Sequence, residues 1–226
     1  MSLTHGPSMV TSGLVLCVDA ANIKSYPGSG TTCSDLSGNG NIGTLVNGVG
    51  YSSGSFVYDG VDDSITVPNS SSVAVTGDMS ILAWVKVTNF STYRSIVGKT
   101  ASSSVPAPYD FYLQSGSGVP VLYRGNGTVN ASQAATAAPS TGIWQHLAVT
   151  MTGTSVAHYL NGSANGSGTI STTIGNDATQ SLYIGYRVDG VTKMLGNYGL
   201  LQIYNFGLTA AQITQNFNAL RGRYGL

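Results

Sequence analysis

The sequence predicts an all-β fold of two packed antiparallel sheets. Most apolar residues fall in short runs that alternate with polar residues, and Gly, Asn, Ser or Pro bound each run. No helical pattern separates these runs before the C-terminus, which argues against an α/β architecture. A chain of 226 residues with 42% hydrophobic content can bury one sizeable core, so we expect a single domain over residues 1–226.

Eleven segments have the length and alternation of strands. They are residues 14–18, 56–59, 64–67, 80–87, 95–99, 110–114, 119–123, 144–151, 155–160, 181–186 and 199–204. Two dipeptides between them tolerate positive φ, so Asn161-Gly162 and Asp59-Gly60 predict hairpin turns. Residues 125–142 lack large apolar side chains, and we expect them to form a long surface connection.

Three parts divide this domain. Residues 1–12 predict an arm outside the core, residues 13–208 the sandwich, and residues 209–226 a C-terminal helix with a tail. Thr209 and Gln212 have the spacing of a capping box, and Gly222 is expected to close the helix in a left-handed conformation. One face of this helix contains Ile213, Phe217 and Leu220, and we expect this face to pack on the sandwich.

Charge is scarce, at 8% of the residues, and all nine acidic residues are aspartate. Neither a nucleic acid nor an anionic membrane is therefore an expected partner. No signal peptide or membrane-spanning segment is apparent. A surface of Ser, Thr, Asn and Gly opposes self-association weakly, so we expect a homo-oligomer. Cys17 and Cys33 are expected to be buried free thiols.

The stretch DLSGNGNIGT begins like a calcium-binding loop. Asp35, Ser37 and Asn39 stand at alternate positions with Gly40 next, as oxygen ligands do at the start of an EF-hand loop. The twelfth position holds Val46 instead of the usual glutamate, so other oxygens, such as those of Asp59 or Asp62, would have to complete the site. In the alternative interpretation, Asp35 and Asn39 hydrogen-bond their own backbone in a glycine-rich turn.

A set of tyrosine, arginine and amide side chains falls at predicted strand ends and in adjoining loops, where binding residues concentrate. The candidate ligand-binding residues are Tyr93, Arg94, Tyr109, Tyr123, Arg124, Asn126, Tyr186, Arg187 and Asp189. Aromatic planes with polar neighbours suit a carbohydrate. The alternative is that these tyrosines bury their rings at the edge of the sandwich or at a subunit contact.

Several segments resemble, in order, the laminin-G-like branch of the concanavalin A-like lectin/glucanase superfamily. They include GLVLCVDAANIKSYPGSGTTCSDLSGNG, FVYDGVDDSITV, SILAWVKV, GIWQHLAVTM, SLYIGY and IYNFGLTAAQI. The resemblance implies a jelly-roll sandwich with Trp84 and Trp144 as core anchors. Members include sugar-binding modules, adhesion domains and glycosidases, and many bind calcium. Relatives often carry an acidic residue in an I-D-E-V run ahead of the last strand. This chain has Tyr198-Gly-Leu-Leu201 at that place.

The opening THGPSMVTSGLVLCVDAAN and the closing QNFNALRGRYG resemble modules of tailed-phage virion proteins. This resemblance implies a place on the virion surface after assembly in the host cytoplasm, with other virion subunits as partners. Hydrolases of the superfamily use paired glutamates, and this chain has none. We therefore expect a non-catalytic, glycan-binding or adhesive module. The alternatives are a purely structural decoration or fibre subunit and, less favoured, a glycoside hydrolase.

Overall fold

A computed structural model describes residues 7–100, 106–126, 128–176 and 179–226. It contains sixteen strands and one α-helix, Ala210–Leu220 (α1), followed by a 3-10 helix, Arg221–Tyr224. The strands are β1 (Leu14–Asp19), β2 (Thr32–Cys33), β3 (Gly43–Val46), β4 (Gly50–Ser52), β5 (Ser55–Asp59), β6 (Ser64–Val67), β7 (Met79–Val87), β8 (Arg94–Thr100), β9 (Pro106–Leu113), β10 (Pro120–Gly125), β11 (Asn130–Ala134), β12 (Gln145–Thr152), β13 (Ser155–Leu160), β14 (Ser163–Thr169), β15 (Leu182–Ile184) and β16 (Leu195–Tyr204).

These strands form two eight-stranded antiparallel sheets. The first, sheet A, has the order β14-β13-β12-β7-β16-β5-β4, with β1 also paired to β16. The second, sheet B, has the order β11-β10-β9-β8-β15-β6-β3-β2. The predicted all-β jelly-roll sandwich with one short C-terminal helix is confirmed.

The main core lies between the two sheets, because alternate residues of each strand point to opposite faces. In β9, Tyr109, Phe111 and Leu113 belong to this core and are 0% exposed. The residues between them, Asp110 and Tyr112, therefore project from the outer face of sheet B. Burial of each large apolar side chain contributes about 1.5–3 kcal/mol, which makes this core the main source of stability.

The C-terminal helix covers the outer face of sheet A. Thr209 and Gln212 form the predicted capping box. Ile213 packs against strand residues of sheet A. Phe217 and Leu220 pack with Trp84, as the helical spacing predicted. The role assigned to Gly222 was wrong, because the chain continues into the 3-10 helix, and Gly225 takes the left-handed conformation at its end, with φ 76°.

Residues 1–12 were predicted to form an arm outside the core. The described part of this segment instead packs against the rest of the chain. The Val10 amide donates to Asn216 Oδ1 at 2.7 Å, and the Val10 carbonyl accepts from the Tyr204 hydroxyl at 2.8 Å. Met9 packs near Trp84. These contacts tie residues 9 and 10 to sheet A and to α1, while residues 1–6 of the predicted arm lie outside the described residues.

All eleven predicted strands are present, and five more complete the sheets. Asn161-Gly162 forms the predicted hairpin between β13 and β14, with φ 51° and 76°. Asp59-Gly60 does not form a hairpin, because β5 lies in sheet A and β6 in sheet B. The segment 125–142 contains β11, so it is not simply a surface connection.

Both cysteines are buried and free, as predicted. Burial raises the pKa of each thiol to about 12, so both remain protonated at neutral pH. Among the described residues, no helix is long and apolar enough to cross a membrane.

Candidate functional site

The outer face of sheet B carries a cluster of aromatic and charged residues. In the register of this sheet, Tyr183 pairs with Gly98, Gly98 with Asp110, and Asp110 with Tyr123. Paired residues project from the same face of a sheet, so these four positions form one row across it. The five tyrosines on this face and at its edge, named here the tyrosine face, are Tyr93, Tyr112, Tyr123, Tyr183 and Tyr186.

The tyrosine rings contact one another in two groups. The Tyr112 ring lies 5.8 Å from the Tyr93 ring and 6.5 Å from the Tyr123 ring, edge to face in both cases. Tyr183 and Tyr186 form a second pair, with ring centroids 6.2 Å apart. All five side chains are partly exposed. Edge-to-face contacts fix the ring orientations and leave part of each ring open to solvent.

Arg187 connects this face to the sheet beneath it. Its Nη1 atom lies 3.0 Å from Asp110 Oδ2, and its guanidinium lies 5.8 Å from the centre of the Tyr112 ring. Asp189 also pairs with the guanidinium through Oδ2, while its Oδ1 atom accepts from the amides of Val191 and Thr192 at 2.8 Å. Two carboxylates thus pair with one arginine and hold it in place.

Asp110 is 0% exposed, and its Oδ1 atom has no hydrogen-bond partner among the described residues. Burial raises the pKa of this carboxyl to about 6, and the Arg187 guanidinium offsets part of that effect. The ion pair therefore lies in a poorly solvated position below the tyrosines, where loss of one partner is costly.

This arrangement can provide an aromatic platform with polar groups between the rings. One side of a sugar ring presents C–H groups that pack on an aromatic plane, while its hydroxyls need hydrogen-bond donors and acceptors at the edge. The tyrosine hydroxyls can both donate and accept, and the arginine can donate.

Five of the nine predicted ligand-binding residues lie together at this site. They are Tyr93, Tyr123, Tyr186, Arg187 and Asp189. The prediction omitted Asp110, Tyr112 and Tyr183. Strict alternation along strands 110–114 and 181–186 could have indicated them, because each lies between two neighbours that point inward.

Tyr109 and Arg124 point into the sandwich and lie outside the site. Tyr109 is fully buried and its hydroxyl donates to the Val73 carbonyl at 2.7 Å. Arg124 is also 0% exposed, and its guanidinium donates to the carbonyls of Val75 at 2.7 Å and Gly77 at 2.8 Å. Their alternation with Asp110 and Tyr123 places both residues on the inner face, where they satisfy backbone acceptors.

Arg94 and Asn126 stabilise loops. Arg94 is 4% exposed, and its Nε atom donates to the Asn89 carbonyl at 2.9 Å. Asn126 accepts through Oδ1 from the amides of Thr128 and Val129, both at 2.9 Å. Both side chains are engaged in local turns rather than directed at the tyrosine face.

The loop of Asp35, Ser37 and Asn39 is folded around its own carboxylate. Asp35 Oδ1 accepts from the amides of Cys17 and Ser37, and Oδ2 accepts from the Ser37 hydroxyl and the Asn41 amide, at 2.7–3.2 Å. The Asn39 amide group donates to the Leu14 carbonyl. These contacts match the self-bonded turn that was the alternative interpretation, and they leave the Asp35 carboxylate little capacity for a cation.

The two tryptophans differ from the core anchors implied by the resemblance. Trp84 is 1% exposed, but it lies between sheet A and the helix rather than between the sheets. Trp144 is partly exposed, packs on Tyr224 at 4.8 Å, and lines a surface cavity of 350 Å³ with Lys86 and Ile143.

At Gly199, within the segment Tyr198-Gly-Leu-Leu201 that stands where relatives have I-D-E-V, an added Cβ atom would lie 2.4 Å from the Tyr224 hydroxyl. The C-terminal tail therefore occupies the space of that acid.

Comparisons with known proteins support the fold. A family model described as the Concanavalin A-like lectin/glucanases superfamily (Laminin_G_3) matches residues 59–214. The chain is similar to domain 4 of AbnA, a GH43 extracellular arabinanase from Geobacillus stearothermophilus, solved in complex with arabinotriose. The identity is 21% and the TM-score 0.64, over 91% of this chain and 98% of that domain.

Two larger structures contain a similar fold. Trypanosoma rangeli sialidase, solved with sialic acid, has 16% identity and a TM-score of 0.69, over 96% of this chain and 34% of that one. The binding domain of botulinum neurotoxin DC, solved with SialylT, has 14% identity and a TM-score of 0.68, over 93% and 52%. The chain thus spans about half of the toxin domain and a third of the sialidase. Among curated proteins, no similar sequence was found.

Proposed function

Because the chain belongs to the concanavalin A-like lectin/glucanase superfamily, we propose that its tyrosine face binds a neutral carbohydrate without cleaving it. The observation that carries this proposal is the contrast between the two sheets. Helix α1 covers the outer face of sheet A, whereas the outer face of sheet B carries five partly exposed tyrosines, with Arg187 over the Tyr112 ring.

The charge of the site favours an uncharged ligand. Arg187 lies over the Tyr112 ring of this face, and Asp110 and Asp189 both pair with it. A sugar carboxylate would have to compete with two carboxylates that are already in place, and it would meet their repulsion. Sugar hydroxyls carry no such penalty. The similar arabinanase domain was solved with arabinotriose, so neutral arabino-oligosaccharides are a reasonable first probe.

The environment of the carboxyl groups supports a non-catalytic role. Glycosidases use two carboxyls that flank the scissile bond, one of which donates a proton. Here Asp110 is 0% exposed, and Asp189 is occupied by Arg187 and by turn amides. His146 and His158 are 1% exposed, and burial lowers their pKa values to about 3 and about 4, so both rings are neutral and enclosed.

Binding can be tested with Tyr123→Ala, which removes one ring of the tyrosine face. We expect arabinotriose to bind the unaltered chain in isothermal titration calorimetry and to bind the variant about 10-fold more weakly. A loss of about 1.4 kcal/mol is typical for an aromatic side chain at the centre of a contact. We expect charged sialyllactose to bind more weakly than arabinotriose, and no reducing sugar to be released from arabinan.

Tyr93 and Tyr51 provide a matched pair, because each is 38% exposed but Tyr51 lies on β4 of sheet A. Tyr93→Ala should weaken binding and Tyr51→Ala should not. Loss of binding in Trp144→Ala alone would place the ligand at the Trp144 cavity and contradict the proposal. Release of sugar products by the pure protein would contradict the non-catalytic assignment.

We also propose that the module acts on a virion surface as a homo-oligomer beside other virion subunits. The similarity of the terminal segments to tailed-phage virion modules and a surface with few charges support this proposal. Light scattering should give the mass of about three chains, or of a similar closed oligomer, each chain contributing 23.2 kDa. A mass of one chain at high protein concentration would count against it.

A further inference from the structure

A groove crosses the end of sheet A that helix α1 leaves uncovered. Strand β7 places Trp84 and Lys86 on the same outer face, because side chains two residues apart in a strand point the same way. Trp84 lies under the C-terminal segment and is 1% exposed, whereas Lys86 is partly exposed. The covered part of this face therefore ends between these two residues.

Two polar residues and one tryptophan form the floor of the groove. Asn197 of β16 pairs with Lys86 on one side. On the other side Gln145 of β12 pairs with Val85, so Trp144, one residue earlier, stands next to Lys86. The floor is thus a row of Asn197, Lys86 and Trp144 that runs across three neighbouring chain segments.

Two surface cavities lie along this row, and both are lined by Lys86 and Trp144. The first has a volume of 350 Å³ and borders the C-terminal tail at Tyr224. The second has a volume of 260 Å³ and borders the turn between β4 and β5 at Ser53. The two cavities together are named here the Trp144 groove. Ligand sites usually measure about 300–1,000 Å³, so this groove has the size for an oligosaccharide.

Lys86 gives the groove a positive charge without a counterion. The ion pairs of the described residues involve Arg187 and Arg223, and no ion pair or hydrogen bond within this part of the chain engages the Lys86 ammonium. None of the described residues that line the two cavities is an aspartate. On the tyrosine face, by contrast, two carboxylates already pair with Arg187. The Trp144 groove therefore suits a ligand with a negative charge.

Trp144 supplies an aromatic surface beside this charge. Its ring meets the Tyr224 ring at 54° rather than stacking on it, and the side chain is partly exposed. Asn197 donates through Nδ2 to the Ser55 hydroxyl at 3.1 Å, which leaves its Oδ1 atom to accept from a ligand hydroxyl. An aromatic plane, a cation and an amide oxygen in one row match a sugar ring that carries a carboxylate.

We propose that the Trp144 groove binds an acidic oligosaccharide of the uronic acid class. The C–H face of one sugar ring packs on Trp144, its carboxylate accepts from the Lys86 ammonium, and a hydroxyl donates to Asn197 Oδ1. Charge-assisted hydrogen bonds of this kind are about twice as strong as neutral ones. The groove is separate from the tyrosine face, and its ligand differs in charge from the neutral sugar proposed there.

Tryptophan fluorescence can follow this site separately, because the chain has two tryptophans and neither lies on the tyrosine face. Trp84 is already stacked on Tyr224 and Phe217. Titration of the full chain with trigalacturonate should change the emission of Trp144, with a dissociation constant of about 0.1–1 mM, as expected for a small ligand in an open site. Arabinotriose carries no charge and should cause no such change.

Lys86→Met removes the charge and keeps an apolar stem of similar length, so this variant should fold. We expect it to bind trigalacturonate at least 10-fold more weakly in calorimetry, because the carboxylate loses its counterion. Lys193→Met is the matched control. Lys193 is also partly exposed and has no ion pair among the described residues, but it pairs with Tyr186, far from the groove in the sheet order. This control should bind trigalacturonate as the unaltered chain does.

Three results would contradict the proposal. Binding that survives in Lys86→Met and is lost in Lys193→Met would place the acidic sugar beside the tyrosine face. Equally tight binding of an aspartate hexapeptide would show that the groove recognises charge alone and not a carbohydrate. No emission change and no binding heat up to about 10 mM trigalacturonate would exclude the site, while the arabinotriose test of the tyrosine face would be unaffected.

Discussion

Arg187→Ala is expected to destabilise the chain by about 3–5 kcal/mol at pH 8, because it leaves the buried Asp110 carboxylate without its counterion. Asp110 is 0% exposed, its Oδ2 atom lies 3.0 Å from Arg187, and its Oδ1 atom has no hydrogen-bond partner in the described part of the chain. Urea denaturation monitored by tryptophan fluorescence would measure the change in the free energy of unfolding.

This cost should depend on pH in a specified direction. Burial raises the folded-state pKa of Asp110 from 3.8 to about 6, so its contribution to stability is complete below pH 3.8 and is lost as pH rises through 6. Removal of Arg187 raises the folded-state pKa further, because the guanidinium lowers it in the unaltered chain. The difference in stability between the two chains should therefore be smaller at pH 5 than at pH 8.

Asp110→Asn separates the charge effect from the loss of contacts. The double variant Arg187→Ala, Asp110→Asn should be more stable at pH 8 than Arg187→Ala alone, because the fully buried position 110 then carries no charge that lacks a counterion. A smaller cost should persist at both pH values, since the contacts of Arg187 with Asp189 and Tyr112 are also lost. An equal cost of Arg187→Ala at pH 5 and pH 8 would contradict the assignment.

Trp84→Ala is expected to destabilise the chain by about 3–5 kcal/mol, through lost apolar burial and the cavity that remains. The Trp84 ring is 1% exposed and stacks on Tyr224 at 4.2 Å and on Phe217 at 5.6 Å. It therefore connects sheet A to both parts of the C-terminal segment. We expect urea denaturation to show the loss, and residues 210–226 to become more sensitive to proteolysis than the sandwich.

Trp144→Ala is the matched control for this variant. Trp144 also contacts Tyr224, at 4.8 Å, but it is partly exposed and lies at the border of a surface cavity. Its replacement should cost about 1 kcal/mol, as expected for a partly buried position. Similar losses for the two variants would show that the helix is not anchored mainly through Trp84.

Residues of the candidate site could be predicted from the sequence where a tyrosine or an arginine fell at the end of a predicted strand. Tyr123, Tyr186 and Arg187 were found in this way, and the structure brings them to one face of sheet B. Arg124 has the same local pattern as Arg187, yet it points inward. The burial of Arg124 depends on the register of β10 against β9, in which it pairs with the inward-facing Tyr109. Arg187 instead follows β15, outside any strand pairing of this kind.

The aspartates also show how far a local sequence pattern can predict the structure. Asp35 and its neighbours have calcium-ligand spacing, but their oxygens satisfy nearby amides. Asp59 and Asp63 have no such motif, and they come together because the chain changes sheets between β5 and β6. Spacing along the chain indicates possible ligands, whereas competition from backbone donors decides which oxygens remain available.

By itself, the sequence determined the all-β class, the positions of eleven strands, the capped C-terminal helix and the burial of both thiols. These features follow from local periodicity and from turn and capping chemistry, which act over a few residues. Only the tertiary structure decided that the helix covers sheet A, that the tyrosines and Arg187 share the open face of sheet B, and that Asp59 and Asp63 meet where the chain changes sheets. Those outcomes depend on strand order and register between residues far apart in the chain, and no short segment contains that information.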